Sequence, residues 1–211
     1  MSRERGNRRE TVFFSDDDYR AYLDLLKASV ETSGSEIRAW CLMPNHVHMI
    51  VVPSYEDGLR QCVANTHGKH AGRINARNKW TGHLWQGRYG SVVMDECHLY
   101  NAFAYISLNP VRARLVDRPE DWKWSSVHAH LSGMEDGLTT LKPAREQIAD
   151  FAHYLSGFTD DDVFEPLRRS EIIGRPIGSD AFLTDLEARS GRSLKAGKPG
   201  WPRAEREEEI R

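Results

Sequence analysis

Tyr19, Tyr22, Leu23, Leu26 and Val30 recur at helical spacing behind Ser15 and the acids Asp16, Asp17 and Asp18, which favour a helix start, and Gly34 supplies a stop. Two apolar runs follow, 37–43 and 47–52, separated by Pro44 and Asn45, and this spacing predicts a β-hairpin. Residues 55–78 read as a basic helix, and 84–94, with Val92 and Val93, as a further strand. A helix over 96–108 packs through Leu99, Phe103 and Ile106 and should stop ahead of Pro110, because proline disfavours helix in the residue before it. With a strand at 11–14 placed first, the order becomes βαββαβα. That order predicts an α+β, ferredoxin-like antiparallel sheet with helices on one face. Residues 122–130 should wrap the core, short helices are expected near 148–155 and 180–189, and the Lys-, Gly-, Pro- and Glu-containing end from Gly191 reads as a flexible tail. The expected organisation is a core unit over 1–131, a helical extension over 132–190 and a charged tail over 191–211.

Composition narrows the class. The chain has 211 residues, 39% hydrophobic and 28% charged, which is enough apolar material for a core. No run approaches the roughly 18 apolar residues a spanning helix needs, and MSRERGNRRE lacks the apolar stretch of a signal peptide, so no membrane partner and a cytoplasmic location are expected. Cys41, Cys62 and Cys97 form no C-x-x-C pair and read as reduced, buried thiols. The formal net charge of −2 hides an uneven distribution. Between Leu59 and Met94 the charged side chains are Arg60, Lys69, Arg73, Arg77, Lys79 and Arg88, with no Asp or Glu among them. His67, His70, His83, Trp80, Trp85 and Tyr89 lie in the same stretch. Cations interleaved with aromatics suit phosphates and unstacked bases; the plainer reading is a solvated helix face followed by core aromatics.

His46 and His48 stand two apart on a predicted strand, so both imidazoles point to one face and can share one metal ion, while Val47 turns into the core. A pair of hydrogen-bonded structural histidines has the same spacing. The surrounding sequence changes the weighing. LMPNHVHMIVV and, further on, YISLNPVRARLV resemble the HUH-type single-tyrosine transposases, in particular the REP-associated tyrosine transposases of bacteria. GNRRETVFFSDDDYRAYL, GHLWQGRYGS and WKWSSVHAH resemble segments of the same family, so the likeness covers about residues 6 to 130, and GRPIGSDAFL resembles C-terminal regions more loosely.

The resemblance implies that His46 and His48 are metal ligands, that Asn109 is a third, and that Tyr105 is the nucleophile. Tyr105 and Asn109 lie four apart and would share a helix face. Imidazole, amide oxygen and water suit a divalent Mn²⁺ or Mg²⁺. A tyrosine of pKa near 10 is a weak nucleophile at neutral pH, so its target phosphate must be polarised. By the resemblance, the product is a 5′-phosphotyrosine link and a free 3′-hydroxyl, a bond-conserving intermediate that needs no ATP for rejoining. The substrate would be single-stranded or hairpin DNA of palindromic repeat elements, contacted by Arg8, Arg9, Lys69, Arg73, Arg77, Arg88 and Arg112, with a monomer expected rather than a homodimer. Two departures stand out. MSRERG replaces a longer apolar first strand, so that central strand is expected to be truncated, and Ser107 stands where the family often has histidine. The competing readings are a DNA-hairpin-binding protein that has lost efficient cleavage, and a metal-dependent hydrolase in which water attacks and Tyr105 is structural.

Overall fold

The structure, a computed structural model, describes residues 1–7, 10–87 and 89–194. Its elements are β1 (Ser2–Arg5), α1 (Asp16–Ser33), β2 (Glu36–Met43), β3 (His46–Val52), α2 (Gly58–Asn78), β4 (Gly90–Ser91), α3 (Glu96–Arg112), α4 (Val127–Ser132), α5 (Lys142–Gln147), α6 (Phe151–Ser156), α7 (Glu165–Ile173) and α8 (Asp180–Ser190). The strands form one antiparallel sheet in the order β2-β3-β1-β4. The α+β fold matches the expectation. Among the described residues no helix is long and apolar enough to cross a membrane.

The first strand lies elsewhere than expected. Residues 11–14 form no strand: the amides of Val12 and Phe13 both donate to the Pro44 carbonyl, and the two side chains are buried against α1 and α2. An apolar run thus plugs the end of the β2–β3 hairpin, while the polar Ser2–Arg5 takes the sheet interior. β1 is four residues long and central, with Arg5 opposite His46 and Arg3 opposite His48 on β3, and Ser2 and Arg3 opposite Ser91 and Gly90 on β4. The strand expected over 84–94 shrinks to Gly90–Ser91, since Gly82 (φ 98°) and Gly87 (φ 128°) hold backbone conformations that do not extend a strand.

The helices bear out the spacing at α1, which Gly34 ends in the left-handed conformation (φ 59°). α3 departs from it, running through Asn109 and Pro110 to Arg112. Proline gives up one intrahelical hydrogen bond, yet Pro110 is buried and Ala113 N–H donates to the Asn109 carbonyl beyond it, so packing overrides the local preference.

The one-face arrangement is corrected too. α1 and α2 pack on the face presenting Ile37, Trp40, Leu42, Val47 and Met49. α3 covers the other face, over Ala39, Cys41, Met43 and Ile50. The segment expected as an extension joins that second layer, placing Ala144, Phe151, Leu155, Phe164 and Leu167 in one apolar cluster with Phe103 and Tyr105. Residues 122–130 wrap β2 as expected, with Leu42 N–H on the Trp124 carbonyl and Trp124 stacked on Tyr19 at 4.6 Å. Cys41 and Cys62 are buried thiols, whereas Cys97 is exposed.

Candidate functional site

Strand alternation turns His46 and His48 toward the α3 face, and their rings meet edge to face at 4.8 Å between centroids. The Tyr105 ring stands across from His48 at 5.4 Å and 89°. Asn109, one turn further along α3, is buried on the same helix. His46 Nδ1 lies 2.6 Å from Asn45 Oδ1; an Nδ1–H donating there leaves Nε2 as the lone-pair nitrogen. His48 is fully buried, and neither of its ring nitrogens has a hydrogen-bond partner among the described residues. Buried polar atoms are almost always paired, so such a nitrogen marks a position fit for an electrophile. Burial, with His48 and Arg3 acting in the same direction, takes the His46 imidazole down to about 2. His48 is likewise held below its ordinary value by burial, against an opposing pull from Glu171. Both rings are therefore neutral, the form a metal requires.

The centre holds a residue that sequence reasoning missed. Glu171, on α7, has a nearly buried carboxylate that meets three elements at once. Its Oε1 stands 3.3 Å from His48 Nδ1, without hydrogen-bond alignment. Its Oε2 accepts from Arg3 Nη1 at 3.1 Å and from the Tyr105 hydroxyl at 3.4 Å. Burial pushes this carboxyl up, but His48 and Arg3 more than offset it, so it stays ionised. No local pattern announces Glu171, the second of two acids on a short helix and 168 positions from Arg3.

Burial, reinforced by the Glu171 charge, pushes the Tyr105 phenol up to about 12. The ring is enclosed by Phe164 at 5.5 Å and by the Arg112 guanidinium, 4.9 Å from its centroid. Arg112 in turn pairs with Asp161. Ser107 is buried with its hydroxyl lacking a partner among the described residues.

The expected phosphate contacts divide into groups. Lys69 and Arg73 are exposed on α2. Arg77 is committed to the buried Asp18, with Nη1–Oδ1 at 2.5 Å and Nη2–Oδ2 at 2.9 Å, and Arg112 encloses Tyr105. Arg8, Arg9 and Arg88 lie outside the described residues, as does most of the expected tail. His67 and His70 are core groups: His67 bonds the Tyr22 hydroxyl and His70 the Val12 carbonyl.

Among the described residues no group of three or more His, Cys, Asp and Glu is arranged to hold a metal. Two imidazoles alone fall outside that class, and imidazole nitrogens of this kind can take a divalent cation.

A family described as IS200-like transposases matches residues 5–109, a span that contains His46, His48, Tyr105 and Asn109. The chain belongs to the IS200-like transposase family. A Haemophilus influenzae protein described as a REP-associated tyrosine transposase is 26% identical to this family member over 113 residues, 48% of this chain and 64% of its own length. The chain thus spans less than two thirds of that relative. A solved structure of a REP-associated tyrosine transposase bound to a REP hairpin is similar at a TM-score of 0.49 and 18% identity, covering 66% of this chain and 82% of that one. The matched family span ends before Glu171 and begins after Arg3.

Proposed function

We propose that this transposase-family chain cuts and rejoins single-stranded or hairpin DNA, with Tyr105 as the nucleophile. The observation that carries the proposal is the meeting, at one buried centre, of a histidine pair with an unpartnered ring and the phenol of Tyr105 5.4 Å away. His46 and His48 would hold a divalent cation, Mn²⁺ or Mg²⁺, with Asn109 as a further donor. When bound, that ion supplies polarisation of a phosphate oxygen.

The chain's own residues do the rest. The Tyr105 oxygen bonds to phosphorus as the P–O3′ bond breaks, leaving a 5′-phosphotyrosine, and the departing O3′ takes a proton from water to become a free 3′-hydroxyl. The nearest acceptor for the phenol proton is the ionised Glu171 carboxylate, which already takes its hydrogen bond. Arg112, stacked on the ring, limits its swing and would put positive charge beside a phosphate bound at Tyr105. Rejoining is the reverse, with a 3′-hydroxyl attacking the phosphotyrosine. Lys69 and Arg73 would contact backbone phosphates.

A second reading, hairpin binding without cleavage, is favoured by one observation: Tyr105 is only 5% exposed. The deciding experiment incubates wild type and Tyr105→Phe with labelled hairpin oligonucleotides, with Mn²⁺, Mg²⁺ or chelator. A denaturation-resistant protein–DNA band that requires both metal and Tyr105 supports the nuclease. Binding without any adduct supports the second reading.

A further inference from the structure

The antiparallel register of β1 and β3 sets two arginines opposite two histidines: Arg3 faces His48, and Arg5 faces His46. Directly opposed residues of such a pair lie on one face of the sheet, so β1 brings basic side chains to the face that carries the histidines and Tyr105. A central strand ordinarily takes β-branched or aromatic residues, and a cation in it is costly unless something answers its charge. Glu171 answers that of Arg3 through a single contact, Nη1 to Oε2 at 3.1 Å, and among the described residues Arg3 makes no other side-chain hydrogen bond. The Arg3 side chain is 22% exposed, which leaves donors of its planar fork open to solvent. Arg3 also lies ahead of the family-matched span 5–109, so the family match gives it no role.

Arg3 and the Tyr105 hydroxyl share a partner atom. Both bond Glu171 Oε2, at 3.1 and 3.4 Å, so guanidinium and phenol stand within two hydrogen bonds of each other. Arg112 holds a different place, over the face of the ring and paired with Asp161. A phosphorus in line for attack sits about 3–3.5 Å from the phenol oxygen, and its non-bridging oxygens then come within reach of the Arg3 fork. A lysine would balance the Glu171 charge equally well, but a guanidinium presents parallel N–H donors matched to two oxygens of one phosphate. We propose that Arg3 is a catalytic residue that holds the non-bridging oxygens of the DNA phosphate attacked by Tyr105. The proposal deepens the nuclease reading and rests on it. Arg3 transfers no proton: that of the phenol goes to Glu171, and the departing O3′ takes one from water. Its hydrogen bonds strengthen as negative charge builds on the non-bridging oxygens of the five-coordinate phosphorus, so its contribution falls on the rate rather than on the affinity for DNA.

Arg3→Lys keeps a cation beside Glu171 and removes the fork. On the full chain, adduct formation with a labelled hairpin oligonucleotide at saturating DNA and Mn²⁺ would be timed for wild type, Arg3→Lys and Arg3→Ala, alongside hairpin affinity and melting temperature. Arg3→Lys should form the adduct about 100-fold more slowly, the typical cost of losing one preorganised donor to a developing oxyanion, with hairpin affinity and melting temperature unchanged. Added guanidinium ion should restore part of the rate to Arg3→Ala, and ammonium ion should not. Arg3→Lys reacting as fast as wild type would overturn the assignment, reduce Arg3 to a counter-ion of Glu171 and leave Tyr105 as the nucleophile. A slow Arg3→Lys that has lost hairpin affinity or melting temperature in step, with no rescue of Arg3→Ala, would also overturn it, since Arg3 would then only support the fold. Absence of any adduct with wild type would instead sink the nuclease reading, and the role of Arg3 with it.

Discussion

Replacing Glu171 by glutamine keeps the shape of the side chain and removes its charge. In the native protein the carboxylate neutralises Arg3 at 3.1 Å, with Arg3 22% and Glu171 4% exposed, and it also holds the Tyr105 hydroxyl at 3.4 Å. A hydrogen bond to a charged group contributes about 1.5–3 kcal/mol, and taking one partner from a buried ion pair costs more than the pair contributes. The Tyr105 contact is long and adds little, while Arg3 can recover some hydration. The expected loss is therefore about 2 kcal/mol. For a chain of this size that corresponds to a melting-temperature drop of about 4–8 °C. The same substitution should weaken Mn²⁺ binding, because a carboxylate beside a ligating histidine orients the ring and raises its basicity, and losing such a partner typically costs 10–100-fold. Urea unfolding and titration calorimetry of the metal-free protein with Mn²⁺ read the two effects separately. The pH dependence follows in sign. The folded carboxyl is held below its ordinary value, so its contribution is complete above pH ~4.5 and is lost as pH falls further, and Glu171→Gln should flatten that part of the stability curve. A variant within about 0.5 kcal/mol of wild type, with unchanged Mn²⁺ affinity, would refute the reasoning and reduce Glu171 to the standing of a surface pair.

His46→Ala and His48→Ala should each lower Mn²⁺ affinity at least tenfold by calorimetry while leaving hairpin binding in chelator intact; undiminished metal binding would remove the pair from the site. Arg77→Ala leaves the buried Asp18 without its partner and should destabilise by about 2 kcal/mol in urea, with a smaller effect on DNA affinity than Lys69→Ala or Arg73→Ala. Each of those two exposed-cation variants should reduce the slope of log affinity against log salt by about one. His67 is held by burial, with a smaller push from His70, at about 3, so the unfolded chain takes up a proton that the folded one refuses. Its contribution is complete above pH ~6.5 and falls by about 1.4 kcal/mol per unit below that, and His67→Gln should remove one proton's slope from the acid limb.

The parts of this architecture that short-range periodicity encodes were legible in the sequence. α1 begins and ends where Ser15 and Gly34 indicate, and the β2–β3 hairpin turns at Pro44 and Asn45, so the alternation that brings His46 and His48 to one face could be read directly. What escaped is set by partners distant in sequence. Ser-Arg-Glu-Arg does not read as a central strand, because Arg3 meets its counter-charge in the distant Glu171, while Val12 and Phe13 read as strand residues until the Pro44 carbonyl is known to take their amides. Arg77 looked like one more phosphate contact because a sequence does not reveal that Asp18 folds beneath it. The cationic character of 59–94 was visible, but not that His67 and His70 turn inward and leave Lys69 and Arg73 on the surface.

The same long-range dependence bears on how much of the chain the chemistry needs. His48, Tyr105 and Asn109 lie within the family-matched span 5–109, but Arg3 precedes it and Glu171 follows it. Without Glu171, His48 would lose the charged group 3.3 Å from its ring nitrogen, and Tyr105 its hydrogen-bond acceptor. Without α7 and the Asp161–Phe164 turn before it, the Tyr105 ring would be bare where Phe164 now covers it, and Arg112 would lose Asp161. The span 5–109 taken alone therefore carries the ligands and the nucleophile but neither the carboxylate that pairs with Arg3 nor the acceptor of the Tyr105 hydroxyl. In the proposed chemistry the C-terminal helices belong to the active centre, and by titration calorimetry a chain ending before Glu165 should bind Mn²⁺ more weakly than Glu171→Gln does.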